Sequence, residues 1–166
     1  MKKLCIIVGL IGLFFSSCEK EDTENAHYRI RFNNDSDYWI GGLYDPYYPD
    51  TTINYPWFPT DSTKCKIQPK ESLIITNGHF KSTFESFFSS TNDTLMFYIF
   101  DYKVLTTNKW AEVRDNYMVT QRYDLSLDDL RRLDWKLSFP PTEEMRNIKM
   151  WPPYGTYDEN GHRIKK

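Results

Sequence analysis

The chain has 166 residues, of which 28 are Phe, Trp or Tyr and only two are Ala, and its formal net charge is -2. This length suits one ordinary globular domain at most. The aromatic excess favours strands over a helical bundle, because aromatic side chains prefer strands whereas Ala is the strongest helix former. Since the charge offers no basic surface, we do not expect a DNA- or RNA-binding protein.

The N-terminus has the order of an export signal. Two lysines are followed by twelve apolar or Gly residues at positions 4–15 and then by two serines. Twelve residues at helical rise are too short to cross a bilayer. Residues 1–17 are therefore predicted to be a signal peptide, and without its two lysines the balance becomes 19 basic against 23 acidic side chains.

Cys18 follows Ser16 and Ser17 directly, and this ending resembles a bacterial lipobox. Phe15 departs from the Leu that is commonest three residues before the cysteine. The resemblance implies lipidation of Cys18 and membrane lipid as a partner. Residues 18–25 are polar and charged, so we expect a flexible tether. Their acidic bias also resembles the signal that sends Bacteroidetes-type lipoproteins to the outer leaflet of the outer membrane, while a merely solvated tether is an equal alternative.

Cys65 is predicted to be a small buried core residue. The other two cysteines belong to the signal and to the lipidated position, so no intramolecular disulfide is expected in an oxidising compartment. In the alternating segment 64–67, Cys65 faces the same side as Ile67. Only lysines lie beside it in sequence, and a catalytic thiol needs a nearby base.

Alternating or continuous apolar segments predict a chain of short strands. They lie at residues 28–32, 38–43, 64–67, 72–76, 94–100, 117–123 and 135–139. The polar cluster at 33–37 is a turn signal, which predicts that the first two strands form a hairpin. The segment 94–100 is apolar at nearly every position and is expected to be a central strand covered on both faces. The aromatic residues assigned to the core are Tyr28, Phe32, Phe97, Phe100, Trp135 and Phe139.

One short helix is clearly encoded after the strand at 117–123. Ser126 can cap it, Asp128 and Asp129 lie in its first turn, and two arginines lie in its last turn, so each sign matches the helix dipole. Residues 81–88 could form a second helix. The expected fold is all-β: an antiparallel β-sandwich-like single domain at residues 26–141 with one or two short helices. Residues 142–166 form a C-terminal extension in which an Asn-Gly pair could close a small hairpin packed on the domain.

The run RYDLSLDDLRRLDWKLSFPP at residues 122–141 resembles the C-terminal signature of small Bacteroidetes-type lipoproteins of unknown function. The Pro-Asp-Thr element at residues 49–51 is similar to a second feature of that group. Together with the lipobox at Cys18, the resemblance implies an envelope location and a sheet-rich fold. It implies no activity, cofactor or catalytic residue.

The sequence contains no recognisable catalytic or metal-binding motif. His27, His79 and His162 are scattered without ligand spacing, and no nucleophile elbow, phosphate loop or dinucleotide fingerprint occurs. We therefore predict no metal, no cofactor and no enzymatic activity. A hydrolase whose site combines distant residues is the remaining catalytic hypothesis, and it would need a cleft joining His27 or His79 to carboxylates.

The proline-rich segment 44–58 is unusually aromatic and is the candidate ligand-binding loop. Its proposed contact residues are Tyr47, Tyr48, Tyr55 and Trp57. Rigid aromatic rings lose little entropy when a flat partner such as a sugar stacks on them. The alternative is a lid that buries the rings over the open end of the sandwich. The leading functional hypothesis is thus a non-enzymatic, lipid-anchored outer-membrane protein that binds or assembles with an envelope partner, and a glycan-binding accessory module is the second.

Overall fold

Eight strands and four short helices form the part of the chain described by a computed structural model, which covers residues 27–53, 65–76, 83–90 and 93–165. The strands are β1 (Arg29–Asn34), β2 (Ile40–Asp45), β3 (Lys66–Ile67), β4 (Ser72–Thr76), β5 (Leu95–Asp101), β6 (Gln121–Leu125), β7 (Lys136–Phe139) and β8 (Lys149–Trp151). The helices are α1 (Phe84–Ser90), α2 (Tyr102–Thr107), α3 (Trp110–Asp115) and α4 (Leu127–Arg132), with one 3-10 turn at Glu143–Met145.

Two sheets organise these strands. One has the order β4-β1-β7 and the other the order β3-β2-β5-β6-β8. All neighbours are antiparallel except β1 and β7, which run parallel. The expected sheet-rich single domain is therefore confirmed at this level, whereas the predicted lipoprotein signal and tether lie outside the described residues.

The sheets enclose the main core. Ile30 and Phe32 of the smaller sheet pack with Phe97 and Ile99 of the larger one, and the rings of Phe32 and Phe97 are stacked 4.8 Å apart. The hydroxyl of Tyr123 donates a hydrogen bond of 2.7 Å to the carbonyl oxygen of Ser138 and so links the two sheets. Each large apolar side chain buried here contributes about 1.5–3 kcal/mol to stability.

Strand β5 is the middle strand of the larger sheet, as its continuous apolar sequence predicts. Its alternate residues Met96, Tyr98 and Phe100 face away from the smaller sheet and form a second core with Val113 and Val119. The rest of this second core comes from helices α2 and α3 and from the segment after β2. Both faces of β5 are consequently buried.

Helices α2 and α3 were not expected from the sequence, which predicted only one or two short helices. Asp101 caps α2 by accepting a hydrogen bond from the backbone N–H of Lys103 at 2.8 Å. Glu112 accepts the backbone N–H of Lys109 at the start of α3. Both caps are satisfied by local side chains, but each helix has only six residues and its apolar face is too short to produce a clear period.

The predicted hairpin between the first two strands is wrong. Strand β1 belongs to the smaller sheet, where β4 and β7 occupy both of its edges, while β2 belongs to the larger sheet. Asn34 is fully buried at the turn, and its side-chain amide binds the carbonyl oxygens of Tyr38, Ile67 and Gln68. This amide holds the chain as it crosses from one sheet to the other.

Two further expectations need correction. Tyr28, assigned to the core, is exposed, because β1 and its pairing with β4 begin only at Arg29 and the alternation does not extend to residue 28. The strand predicted at 117–123 begins at Gln121, since Tyr117 has a positive φ of 46° and turns the backbone out of the extended conformation. The remaining predicted core aromatics, Phe32, Phe97, Phe100, Trp135 and Phe139, are buried.

Helix α4 forms where the sequence predicts it. The hydroxyl of Ser126 accepts the backbone N–H of Asp129, and the Asp129 carboxylate accepts the backbone N–H of Ser126. This reciprocal pair satisfies two backbone donors at the start of α4. Helix α4 then joins β6 of the larger sheet to β7 of the smaller one.

Candidate functional site

Only part of the predicted ligand-binding loop falls in the described residues. Tyr47 is 60% exposed, whereas Tyr48 is half-buried and packs against the second core. Tyr55 and Trp57 lie outside the described residues. The Asp45 carboxylate accepts the backbone N–H of Tyr47 at 2.8 Å and turns the chain out of β2. In the described half of the segment, one of the two tyrosines is therefore exposed and the other is packed on the second core.

Tyr48 reaches across to the edge strand β8. The Lys149 ammonium donates a hydrogen bond of 2.8 Å to the Tyr48 hydroxyl and also lies 5.1 Å from the centre of its ring. This hydrogen bond, followed by the charge of the Tyr48 oxygen, holds the pKa of Lys149 above its usual value. The loop and β8 thus meet at the outer face of the larger sheet.

The register of the larger sheet aligns the side chains of this outer face in two rows. Residues directly opposite one another on neighbouring strands point to the same face. The first row consists of Asp45, Met96, Asp124 and Lys149, and the second of Leu43, Tyr98, Arg122 and Trp151. Apolar residues occupy the middle of the sheet, and the charged residues of β6 and β8 lie at its edge.

An ion cluster connects these edge residues. Arg122 Nε lies 2.8 Å from Asp124 Oδ1, and Lys149 Nζ lies 3.6 Å from Asp124 Oδ2. Asp124 is 1% exposed at its side chain, and Arg122 is 15% exposed. Although Nε and Oδ1 are close, neither atom makes a hydrogen bond of good geometry in the described structure. The pair is held by charge and by a hydrogen bond of 3.4 Å that Arg122 Nη2 donates to Asp124 Oδ2, and its hydrogen-bonding capacity is incompletely used.

Tyr117 completes the cluster. Arg122 Nη1 donates a hydrogen bond of 2.9 Å to the Tyr117 hydroxyl oxygen. Burial acts to lower the pKa of Arg122, but the neighbouring Asp124 and Tyr117 oxygens outweigh it, so the pKa rises and the guanidinium stays charged. Burial also raises the pKa of Tyr117, against the pull of Arg122. Tyr117 makes these contacts from a backbone with φ of 46°, which costs a bulky residue about 1–3 kcal/mol.

A shallow cleft of about 340 Å³ opens beside this cluster, lined by Thr51, Tyr117, Arg122 and Trp151. Trp151 is 43% exposed, and its ring lies 5.2 Å from that of Tyr117 at an angle of 65°. The cleft therefore combines an exposed aromatic face with a guanidinium that Asp124 and Tyr117 hold in its lining. Such a site can stack a flat ligand and bind its polar edge.

The sequence did not identify Arg122, Tyr117, Lys149 or Trp151 as site residues. Arg122 and Asp124 are two residues apart, as are Lys149 and Trp151, so each pair lies on one face of its strand. This spacing was the signal that the sequence contained. The pairing of β6 with β8, which brings the two pairs together, is not visible in that local pattern.

His27 does lie beside a carboxylate, but the hydrolase hypothesis also requires a cleft that joins the two groups, and neither of the clefts lined by Thr51 or by Asp35 includes His27. Its ring Nδ1 is 2.6 Å from Glu85 Oε1, its backbone N–H donates to Glu85 Oε2 at 3.1 Å, and its ring stacks on Trp135 at 4.1 Å. These contacts bind the beginning of β1 to α1 and to the residue before β7. His79 lies outside the described residues, and His162 lies near Asp37 and Asp158 instead.

Glu85→Gln is expected to destabilise the protein by about 1–2 kcal/mol at neutral pH. Burial acts to raise the pKa of Glu85, but hydrogen bonds from the ring and backbone of His27 outweigh it and leave the pKa below 4.5. The stabilisation is therefore present above about pH 4.5 and is lost as the pH falls through the lower folded-state pKa. Urea denaturation at a series of pH values measures this difference.

The exposed carboxylate of Glu144 provides the control, since Glu144→Gln should leave stability unchanged at every pH. A loss in Glu85→Gln that stayed constant down to pH 3 would show that the carboxylate charge does not stabilise this contact.

Comparisons with known proteins add no relative: no family model matches the chain, and neither a curated protein nor a solved structure shows significant similarity to it. Within the described residues, no His, Cys, Asp and Glu side chains are grouped so as to hold a metal ion. No helix in those residues has the length and apolar character needed to cross a bilayer.

Proposed function

We propose that this chain is a lipid-anchored cell-envelope protein whose sheet-rich domain binds a partner and does not catalyse a reaction. The anchor is supported by the charged, apolar and small-residue order of residues 1–17 and by the cysteine at position 18. The resemblance of residues 122–141 to small Bacteroidetes-type lipoproteins supports an outer-membrane location.

The observation that carries the binding role is the open cleft beside the ion cluster. A large exposed aromatic side chain next to a fixed, partly buried arginine is characteristic of recognition surfaces. Trp151 and Arg122 have this arrangement, and both belong to strands, so the backbone holds them in place. Residues 18–25 would serve as the tether between the lipid and this domain.

Cys18→Ser is expected to release the protein from the membrane and to abolish its labelling by radioactive palmitate, because the serine hydroxyl cannot take the place of the lipidated thiol. Growth of producing cells with labelled palmitate, followed by membrane fractionation, measures both properties. Cys65→Ser, at the buried cysteine, is the matched control and should retain label and membrane association. Labelled, membrane-bound Cys18→Ser protein would overturn the proposed anchor.

Protease treatment of intact cells then determines the leaflet. Digestion of the domain in intact cells would place it on the outer surface, and protection until the outer membrane is permeabilised would place it in the periplasm. Either result is compatible with the anchor, and the leaflet decides which partners the domain meets.

A further inference from the structure

We infer that the cleft beside Trp151 is a saccharide-binding site, in which a pyranose ring lies against the indole and its oxygens accept hydrogen bonds from Arg122. This inference rests on the proposed binding function and names the class of ligand. It moves most of the site from the loop at 44–58 to strands β6 and β8. Thr51, which lines the cleft, belongs to both.

The aromatic wall of the cleft suits the apolar face of a sugar. A pyranose presents C–H groups on its face and hydroxyls around its edge, so it needs a flat apolar surface with polar groups beside it. Trp151 supplies the exposed surface, and Tyr117 stands at 65° to it, 5.2 Å away. Indole and phenol rings supply large rigid contact area at little cost in conformational entropy.

The polar side of the cleft is rich in donors. Arg122 has five N–H donors and no acceptor, and each of its terminal nitrogens carries a second N–H besides the one that binds Tyr117 or Asp124. Thr51 adds a hydroxyl that can donate or accept. A donor-rich cleft selects a ligand that is rich in acceptor oxygens, which hydroxyls, ring oxygens and carboxylates of saccharides all provide.

Arg122 is also positioned before any ligand arrives. Asp124 lies at Nε and Nη2, and the Tyr117 hydroxyl binds Nη1, so the plane of the guanidinium is fixed. Fixing a side chain in the free protein reduces the entropy lost on binding. The register places Arg122 directly opposite Trp151, so the donor and the stacking surface lie side by side.

The size and shape of the cleft favour a saccharide over an apolar small molecule. A volume of about 340 Å³ is at the lower end of ligand pockets. Apolar ligands need enclosure, because their affinity comes from removing most of their surface from water. A sugar bound to an open cleft can keep its remaining hydroxyls in solvent, which suits one or two units of a longer chain.

The test is a titration of the full-length, lipidated protein in detergent with a panel of tetrasaccharides. One arm contains neutral probes from dextran, mannan, galactan and xylan, and the other contains oligogalacturonate and oligoguluronate. Intrinsic tryptophan fluorescence and calorimetry report binding. We expect at least one probe to bind with a Kd of about 0.1–1 mM, as befits a shallow site. Tighter binding of the neutral probes would identify hydroxyls as the preferred partners of Arg122, and tighter binding of the acidic probes would identify carboxylates.

Trp151→Ala is expected to raise the Kd of the tightest-binding probe at least tenfold and to remove most of the fluorescence change on binding. Trp39→Ala is the matched control, since Trp39 is similarly exposed but lies under Lys66, away from the cleft. The Trp39→Ala variant should bind the same probe with the same Kd as the unchanged protein. Arg122→Lys keeps the positive charge but loses the planar guanidinium group and its fixed N–H donors, so it should also weaken binding.

Absence of binding by every probe at concentrations of about ten times the expected Kd would overturn the inference. Equal affinity of Trp151→Ala and the unchanged protein would do the same, as would an equal loss in Trp39→Ala. Circular dichroism establishes that each variant is folded. Palmitate labelling is independent of the cleft, so a protein that is labelled but binds no saccharide refutes the ligand class and leaves the lipid anchor standing.

Discussion

Asn34→Asp is expected to destabilise the protein by roughly 3–5 kcal/mol near neutral pH, although the two side chains have almost the same shape. The Asn34 amide nitrogen lies 2.9, 3.2 and 3.0 Å from the carbonyl oxygens of Tyr38, Ile67 and Gln68. A carboxylate would place a negative oxygen against these three acceptors in a fully buried site. Urea or guanidinium denaturation measures the loss.

The destabilisation of Asn34→Asp should also depend on pH. Burial among carbonyl oxygens raises the pKa of the introduced carboxyl group in the folded state. A raised folded-state pKa means that stability is greatest at low pH and is lost as the pH rises through it. The deficit relative to the unchanged protein should therefore shrink towards about pH 4.

Asn33→Asp is the matched control for this experiment. Asn33 precedes Asn34 in β1, but its side chain is only partly buried, and its Oδ1 already accepts the hydroxyl of Ser72 at 2.8 Å. A carboxylate retains that bond and loses only a long contact of 3.3 Å from Nδ2 to Ser138. A loss below about 1 kcal/mol is expected. Equal losses at positions 33 and 34 would contradict the central role given to the buried amide.

Gly161→Ala is expected to be the second most damaging change, at about 3 kcal/mol or more. Gly161 has φ of 85°, and an added Cβ would lie 2.6 Å from Ser36 Cβ and 3.2 Å from Phe139 Cε1. Its carbonyl oxygen also accepts the hydroxyl of Tyr38 at 2.9 Å. The variant must therefore displace the C-terminal turn from the crossing between the two sheets.

Gly155→Ala separates backbone strain from this packing effect. Gly155 has a similar φ of 79°, but an added Cβ would meet nothing within 4 Å. We expect a cost of about 1 kcal/mol there, from the left-handed backbone alone. Thermal and urea denaturation of both variants give the comparison. If the two glycines were equally sensitive, the C-terminal turn would not be packed tightly on the domain.

Several elements could be predicted because their determinants are close in sequence. Strand β4 lies at the predicted residues 72–76, and helix α4 follows the predicted cap at Ser126. Cys65 is buried together with Ile67, as the alternation of the segment indicates. In each case, the deciding interactions join residues within one turn or within one strand.

The candidate site could not be predicted in the same way. The sequence favoured Tyr47, Tyr48, Tyr55 and Trp57 because they lie in an aromatic, proline-rich segment, and the last two lie outside the described residues. The cleft instead combines Trp151, Arg122 and Tyr117, and the first two are brought together only by the pairing of β6 with β8. Local alternation shows that each strand has a polar face, but it contains no information about the strand that will lie beside it.

The sequence by itself predicted strands β1 to β7 in their order, helix α4 and the burial of both faces of β5, and it gave the export features of residues 1–18 as an expectation. These depend on periodicity, capping and composition over short distances. Only the tertiary structure decided that β1 and β2 belong to different sheets, that Asn34 holds the crossing between them and that Arg122 lies opposite Trp151. Such contacts depend on the simultaneous packing of distant segments, because a strand edge can be satisfied by any partner with compatible hydrogen bonds and a buried face.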